Sequence, residues 1–121
     1  MPAHPCPSCG FLVFGEPAGS YAMCPVCGWD DDPVQLRWPR FTCGANTRSL
    51  FEHQKIWLRG IPADIQLKRG YRRDPAWRPL TQLEASSRPE EPSTGREYFK
   101  AASHDTPSYY WMPKPGQERK E

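Results

Sequence analysis

Apolar positions in this chain come in short bursts rather than long periodic runs. Phe11-Leu12-Val13-Phe14 is one burst, Gly15-Glu16-Pro17-Ala18-Gly19 interrupts it, and Ser20-Tyr21-Ala22-Met23 is the next. An apolar run, a Gly/Pro break and a second run predict two strands joined as a hairpin. The following apolar set has helical spacing: Leu50, Phe51, Trp57 and Leu58, with Ile56 on the flank. Ser49-Leu50-Phe51-Glu52 at its head has the S-x-x-E form, in which hydroxyl and carboxylate satisfy the free amides of a helix start, and Gly60 before Pro62 stops it. A helix from about Leu50 to Arg59 is predicted, its apolar stripe packed on the hairpin. Beyond Arg59 the pattern thins. Thr81-Gln82-Leu83-Glu84 can cap one helical turn, and Ser86 to Gly95 has the composition of a linker. Ser108-Tyr109-Tyr110-Trp111-Met112 reads as a terminal strand. Its aromatics Tyr109, Tyr110 and Trp111 dock on the body of the protein or serve as a docking surface, since exposed apolar patches are uncommon on monomers.

Composition turns this sparse pattern into a problem of stability. A chain of 121 residues is one small domain, or a smaller one with an appendage; the division expected is 1–60 and a Pro-rich, partly basic extension, 61–121, packed on it. Hydrophobic residues are 37%, prolines number 15 and mean hydropathy is -0.79. Core side chains are scarce, and the backbone is interrupted too often for long elements. Such domains are stapled by disulfides or a metal.

The compartment selects the staple. The N-terminus has no basic region followed by an apolar run, and nothing approaches the roughly 18 apolar residues of a membrane span. A cytoplasmic, soluble protein without membrane partners is expected. In a reducing cytosol paired C-x-x-C units are metal ligands or redox groups rather than structural disulfides.

The five cysteines include two copies of C-P-x-C-G: Cys6-Pro7-Ser8-Cys9-Gly10 and Cys24-Pro25-Val26-Cys27-Gly28. The proline fixes φ for a tight turn and the glycine takes positive φ, so that both sulfurs converge on one point about 2.3 Å away if it is zinc. A doubled C-x2-C with roughly 15 to 20 residues between its halves is a tetrahedral zinc pattern, and the gap from Cys9 to Cys24 falls just short of that range. Cys6, Cys9, Cys24 and Cys27 are therefore the predicted ligands of one Zn2+. Four thiolates leave no open coordination position, the mark of a structural site. A redox dithiol needs one such pair with a lowered thiol pKa, usually in a βαβ setting, whereas this chain has two pairs and no βαβ pattern. A rubredoxin-like iron site stays open, because four thiolates in such turns also hold iron. Cys43 lacks the turn residues and reads as a small buried side chain.

Charge adds little. The formal charge is +2, and four thiolates on a divalent ion bring it close to zero. Its distribution is uneven: the cysteine-rich third is slightly acidic, whereas Gly44 to Leu80 is basic. There Lys68, Arg69, Tyr71, Arg72, Arg73, Trp77 and Arg78 mix cations with aromatics, which suits phosphates and unpaired bases or an acidic protein surface. Asp30-Asp31-Asp32 are adjacent carboxylates of the kind that cap amides or face solvent, and Gln35 and Asn46 are placed to hold the 28–49 loop through backbone hydrogen bonds. His4, His53 and His104 are scattered, His4 being a reserve ligand two residues before Cys6. No Ser-His-Asp or H-E-x-x-H pattern occurs, so no enzyme and no small-molecule substrate is predicted.

With these residues in hand the chain resembles the bacterial cysteine-rich CPCC family from about Cys6 to Trp57. The resemblance rests on Cys6-Pro7-Ser8-Cys9-Gly10, on Tyr21 through Asp32, on Val34-Gln35-Leu36, and on Gly44-Ala45-Asn46 leading to Ser49-Leu50. Ser8 stands where that family has its middle cysteine, which supports binding by the other four. Asp30 and Cys43 stand where it tends to show Glu and Gly, so Cys43 looks like a replaced glycine rather than a fifth ligand. The resemblance implies a zinc-ribbon-like domain and supplies no activity. The fold expected is a small metal-stapled α+β domain: a zinc-ribbon hairpin with two C-P-x-C-G knuckles, one helix and an irregular C-terminal part. The function expected is a non-catalytic zinc-binding interaction module, a protein-binding accessory or immunity-type protein. The alternatives are a nucleic-acid-binding ribbon using 68–78 and an iron electron carrier.

Overall fold

The computed structural model describes residues 4–42, 44–86 and 109–112. Cys43, Ser108 and the 87–95 part of the expected linker lie outside the described residues.

Gly10 and Gly28 set the course of the first third. Each follows the second cysteine of its turn with φ of 81° and 79°, a region glycine enters without steric cost. Each donates its amide back across the turn, Gly10 to the Cys6 carbonyl at 2.7 Å and Gly28 to the Cys24 carbonyl at 2.9 Å. The chain thus reverses inside each C-P-x-C-G and pairs with itself on either side. Around the first turn, β1 (His4–Pro5) runs antiparallel to β2 (Leu12–Phe14), and the Cys6 amide donates to the Phe11 carbonyl at 3.0 Å. Around the second, Met23 bridges to Asp30, and the Cys24 amide donates to the Trp29 carbonyl at 2.8 Å. This corrects the expected pairing of Phe11–Phe14 with Ser20–Met23. Both runs pair, but each across its own cysteine turn, because that turn closes a tighter loop than the Gly15–Gly19 break.

Three helices occur among the described residues where one, with a capped turn beyond it, was expected. α1 (Pro33–Arg37) starts from Asp32, whose carboxylate accepts the Val34 and Gln35 amides, with Pro33 in the first helical position; both are helix-start signals that the sequence carried. α2 (Leu50–Gly60) has the expected capping box, Ser49 and Glu52 bonding reciprocally. Its inward face differs from the expected stripe. Leu50 and Gln54 are buried, whereas Ile56 and Trp57 are 38% and 37% exposed, because the surface under the helix is made of turn carbonyls that need donors. α3 (Gln82–Ser86) follows the Thr81–Glu84 cap, in which the Glu84 amide donates to Thr81 Oγ1 at 3.1 Å.

Between α2 and α3, β3 (Leu67–Lys68) and β4 (Tyr71–Arg72) form a second hairpin. Its two-residue turn, Arg69-Gly70, has positive φ at both positions, as a tight hairpin matched to strand twist requires. A bridge from Phe11 to Arg73 joins this hairpin to the first cysteine turn. Residues 109–112 form a turn closed by the Met112 amide on the Tyr109 carbonyl at 3.1 Å, not a strand, and they dock on the body as expected: Tyr109 is buried. One core unites the four cysteines with Phe11 and Trp29 and extends to Ile61, Leu80 and Tyr109; a second, smaller cluster of Val34, Trp38 and Phe41 lies under α1. No helix among the described residues is long and apolar enough to cross a membrane.

Candidate metal centre

The four sulfurs of Cys6, Cys9, Cys24 and Cys27 lie within 4.8 Å of one another. Sγ of Cys6 and Cys27 are 3.7 Å apart, as are those of Cys9 and Cys24. A tetrahedron with metal–sulfur bonds of about 2.3 Å has edges of about 3.8 Å, so the spacing is that of a thiolate cage; a disulfide would need about 2.05 Å. All four side chains are at most 3% exposed. Cys24 Sγ accepts the amides of Val26 at 3.3 Å and Cys27 at 3.4 Å, which aims backbone dipoles at the charge a thiolate carries.

Burial pushes the Cys6 thiol well above its usual range. Cys24 is drawn down by hydrogen bonds from the Cys27, Cys6 and Cys9 thiols, and Cys27 is held up chiefly by its bond to Cys24. Four buried cysteines around one point form a donor set that a divalent ion lets ionise together. The donor set therefore fits a thiophilic metal.

The two cysteine turns are anchored differently. The first offers its carbonyls to side chains from far along the chain. Pro7 O accepts from Trp77 Nε1 at 3.1 Å and Gln54 Nε2 at 3.2 Å, and Gln54 Nε2 also lies 2.9 Å from Tyr110 Oη. Cys9 O accepts from Arg73 Nε at 2.7 Å. Arg73 also donates to the carbonyls of Pro62 and Ile65 and lies against the rings of Phe11 and Trp77; burial lowers its pKa from the usual arginine range. The second turn is held by its own neighbourhood. Buried Asp31 accepts the Gly19 and Ser20 amides at 3.0 Å, and the Ser20 hydroxyl at 2.8 Å, on one oxygen. Asn46 exchanges two 2.8 Å bonds with the Asp30 backbone, while Gln35 donates to the carbonyls of Phe41, Asn46 and Arg48. The expectation that Gln35 and Asn46 hold this loop through backbone bonds is met. Of the three aspartates, Asp31 and Asp32 cap amides and do not face solvent.

The basic, aromatic segment is divided by the fold. Arg73 and Trp77 are 4% and 7% exposed; Tyr71 is half-buried; Arg78 pairs with Glu84 at 2.6 Å. Lys68, Arg69 and Arg72 remain exposed around the β3–β4 turn. Tyr109, Tyr110 and Trp111 are drawn inward, Tyr110 Oη donating to the Arg78 carbonyl at 2.6 Å.

Sequence reasoning missed two residues of the centre. Gln54 ties α2 to the Pro7 and Ser8 carbonyls and accepts the Leu80 amide at 2.7 Å. His53 Nδ1 lies 2.6 Å from Ser8 Oγ and its Nε2 3.2 Å from the Cys27 carbonyl, and burial lowers its pKa below the usual histidine value. A clue was present: polar residues interrupt the helical stripe at the positions that face the cysteine turns.

Compared with curated proteins, the chain matches none. A family model, Cysteine-rich CPCC, matches residues 4–69, a span holding both cysteine turns, the aspartates, Gln35, Asn46, His53 and Gln54. Covering more than half of the 121 residues, that match places the chain in the cysteine-rich CPCC family.

Proposed function

We propose that this protein is a non-catalytic interaction module: a zinc ribbon in which Cys6, Cys9, Cys24 and Cys27 hold one structural Zn2+, carrying a surface for another protein. The observation that carries this reading is the closed cage, four buried sulfurs at tetrahedral spacing. A four-thiolate ion has no coordination position left for water or substrate, so its contribution is to folding. Buried Arg73, bonded to the Cys9 carbonyl, offsets the net negative charge that four thiolates leave on a divalent ion. A protein partner is supported by apolar residues left outside the core: Tyr21 and Met23 beside the second turn are 52% and 67% exposed, and Leu67 is 63% exposed. An accessory or immunity-type role in the bacterial cytosol rests on size and class alone.

The test is metal content of protein purified without added metal, with thermal unfolding before and after a strong chelator. One equivalent of zinc, with cooperative unfolding lost on chelation and restored by zinc, is expected; a metal-free protein with an unchanged transition would end this reading. A second reading, a nucleic-acid-binding ribbon, draws support from exposed Lys68, Arg69 and Arg72, though the inward turn of Arg73 and Trp77 leaves it few rings for base stacking. Binding to single-stranded nucleic acid that falls steeply with salt would favour it. An iron-holding electron carrier, the third, would be coloured as purified.

A further inference from the structure

The two cysteine turns meet at their sulfurs, yet among the described residues no backbone hydrogen bond joins one turn to the other. One side chain spans them. The Cys27 carbonyl can only accept, so the proton of His53 lies on Nε2 and is donated to it. The lone pair of Nδ1 then accepts the Ser8 hydroxyl at 2.6 Å. Neither turn can move away from the other without breaking one of these bonds.

The ring has little freedom to adjust. The Ser49–Glu52 capping box fixes the start of α2, and the adjacent Gln54 fastens the helix to the Pro7 and Ser8 carbonyls. The imidazole lies 5.0 Å from the Trp29 ring and 6.0 Å from the Trp57 ring. Helix, clamp and both turns are therefore one assembly, with the sulfur cage at its centre. Any opening that swings one pair of sulfurs away from the other separates Ser8 from Cys27 in this fold.

We propose that His53 is a positioning residue that clamps the two cysteine turns at the closed separation through Ser8 and the Cys27 carbonyl, and thereby sets how slowly the bound metal is released. The inference rests on the metal reading above. It concerns kinetic retention and metal geometry, not ligation: both ring nitrogens of His53 are engaged by the turns.

The experiment follows transfer of metal from the full-length, cobalt- or zinc-loaded protein to a chelator in excess, with the cobalt absorption bands recorded alongside. Replacing His53 with Leu keeps bulk and removes both bonds; release is expected to accelerate roughly tenfold, the lower end of what loss of an outer-shell partner costs a metal site. Ser8→Ala removes one bond without disturbing the helix and should fall between. His53→Gln carries a donor and an acceptor at similar separation and should restore slow release and the wild-type cobalt bands. Val34→Ala, in the separate cluster under α1, provides a variant of lowered thermal midpoint with unchanged release. If the Leu variant releases at the wild-type rate while the wild type holds one equivalent of metal, the clamp is overturned and the metal reading stands. The clamp also fails if His53→Gln releases as fast as His53→Leu, or if Val34→Ala accelerates release equally. A wild type that takes up neither zinc nor cobalt overturns both.

Discussion

The two cysteine turns are near copies in sequence and backbone, and the molecule treats them in opposite ways. Residues 6–10 are enclosed by side chains from α2, the 61–80 segment and Tyr110, so their carbonyls are satisfied at long range. Residues 24–28 stand on a loop that supports itself through Asp31, Asp32, Gln35 and Asn46, and they leave Tyr21 and Met23 in solvent. A C-P-x-C-G phrase thus specifies a turn but not its surroundings. The turn that is walled in depends on Gln54 within the 4–69 span shared with the family and on Arg73, Trp77 and Tyr110 beyond it. The turn that supports itself lies wholly within it. The shared span therefore holds the cage, one self-supporting lobe and the α2 side of the closure over the first turn, whereas the remainder of that closure comes from residues beyond 69.

The largest effect should erase the difference. Cys6→Ser and Cys24→Ser each remove one sulfur from the same cage, so both should abolish stoichiometric metal binding and the cooperative thermal transition, to similar extents. A Cys24 variant that still binds one equivalent and melts normally would show that the turns are unequal at the metal itself.

Next come substitutions that separate the turns. Arg73→Met leaves the carbonyls of Cys9 and Ile65 without their donor, while Pro62 keeps the Ile65 amide. With buried unpaired groups costing about 1–3 kcal/mol each and partial relaxation, a loss of about 3 kcal/mol is expected. Hydrogen exchange should quicken at Gly10 while Gly28 stays protected. Gln35→Leu should do the reverse, costing about 2 kcal/mol and loosening the 28–49 loop, with Gly28 exchanging faster and Gly10 unchanged. Uniform loosening in both variants would mean that the lobes do not have separate supports.

The smallest effect lies at the outer edge of the first lobe. The Arg78 guanidinium holds the Glu84 carboxyl down at about 2, below its usual 4.5. An acid whose folded pKa is depressed stabilises above the unfolded value, and that contribution disappears as pH falls from 4.5 through about 2. Because this pair is largely solvated, Glu84→Gln should cost less than about 1 kcal/mol at neutral pH. The gap between variant and wild type in denaturant titrations should narrow below pH 4.5. A gap that widens on acidification would place the stabilisation elsewhere.

Local signals were legible in the sequence wherever a few adjacent residues sufficed. The four clustered cysteines, the capping boxes at Ser49–Glu52 and Thr81–Glu84, and the use of Gln35 and Asn46 as loop ties all came from short patterns. Pairing did not. The apolar runs at Phe11–Phe14 and Ser20–Met23 look like one hairpin because hydrophobic alternation does not say where a chain reverses, and the positive-φ glycines inside the cysteine turns decided that instead. The basic segment misled for a related reason. Arg73 and Trp77 read as a binding surface, but an Arg and an indole are also the donors that buried turn carbonyls require.

By itself, then, the sequence determined the cage: sulfur identity, turn chemistry and spacing are encoded within a few residues of each cysteine, and the closing backbone bonds are local. Only the tertiary structure decided what surrounds the cage. Whether a side chain such as Arg73, His53 or Tyr110 meets solvent or a carbonyl depends on which orphaned acceptors the rest of the chain brings beside it. A break in a helical stripe, as at His53 and Gln54, marks such a residue locally but does not say which acceptor it meets.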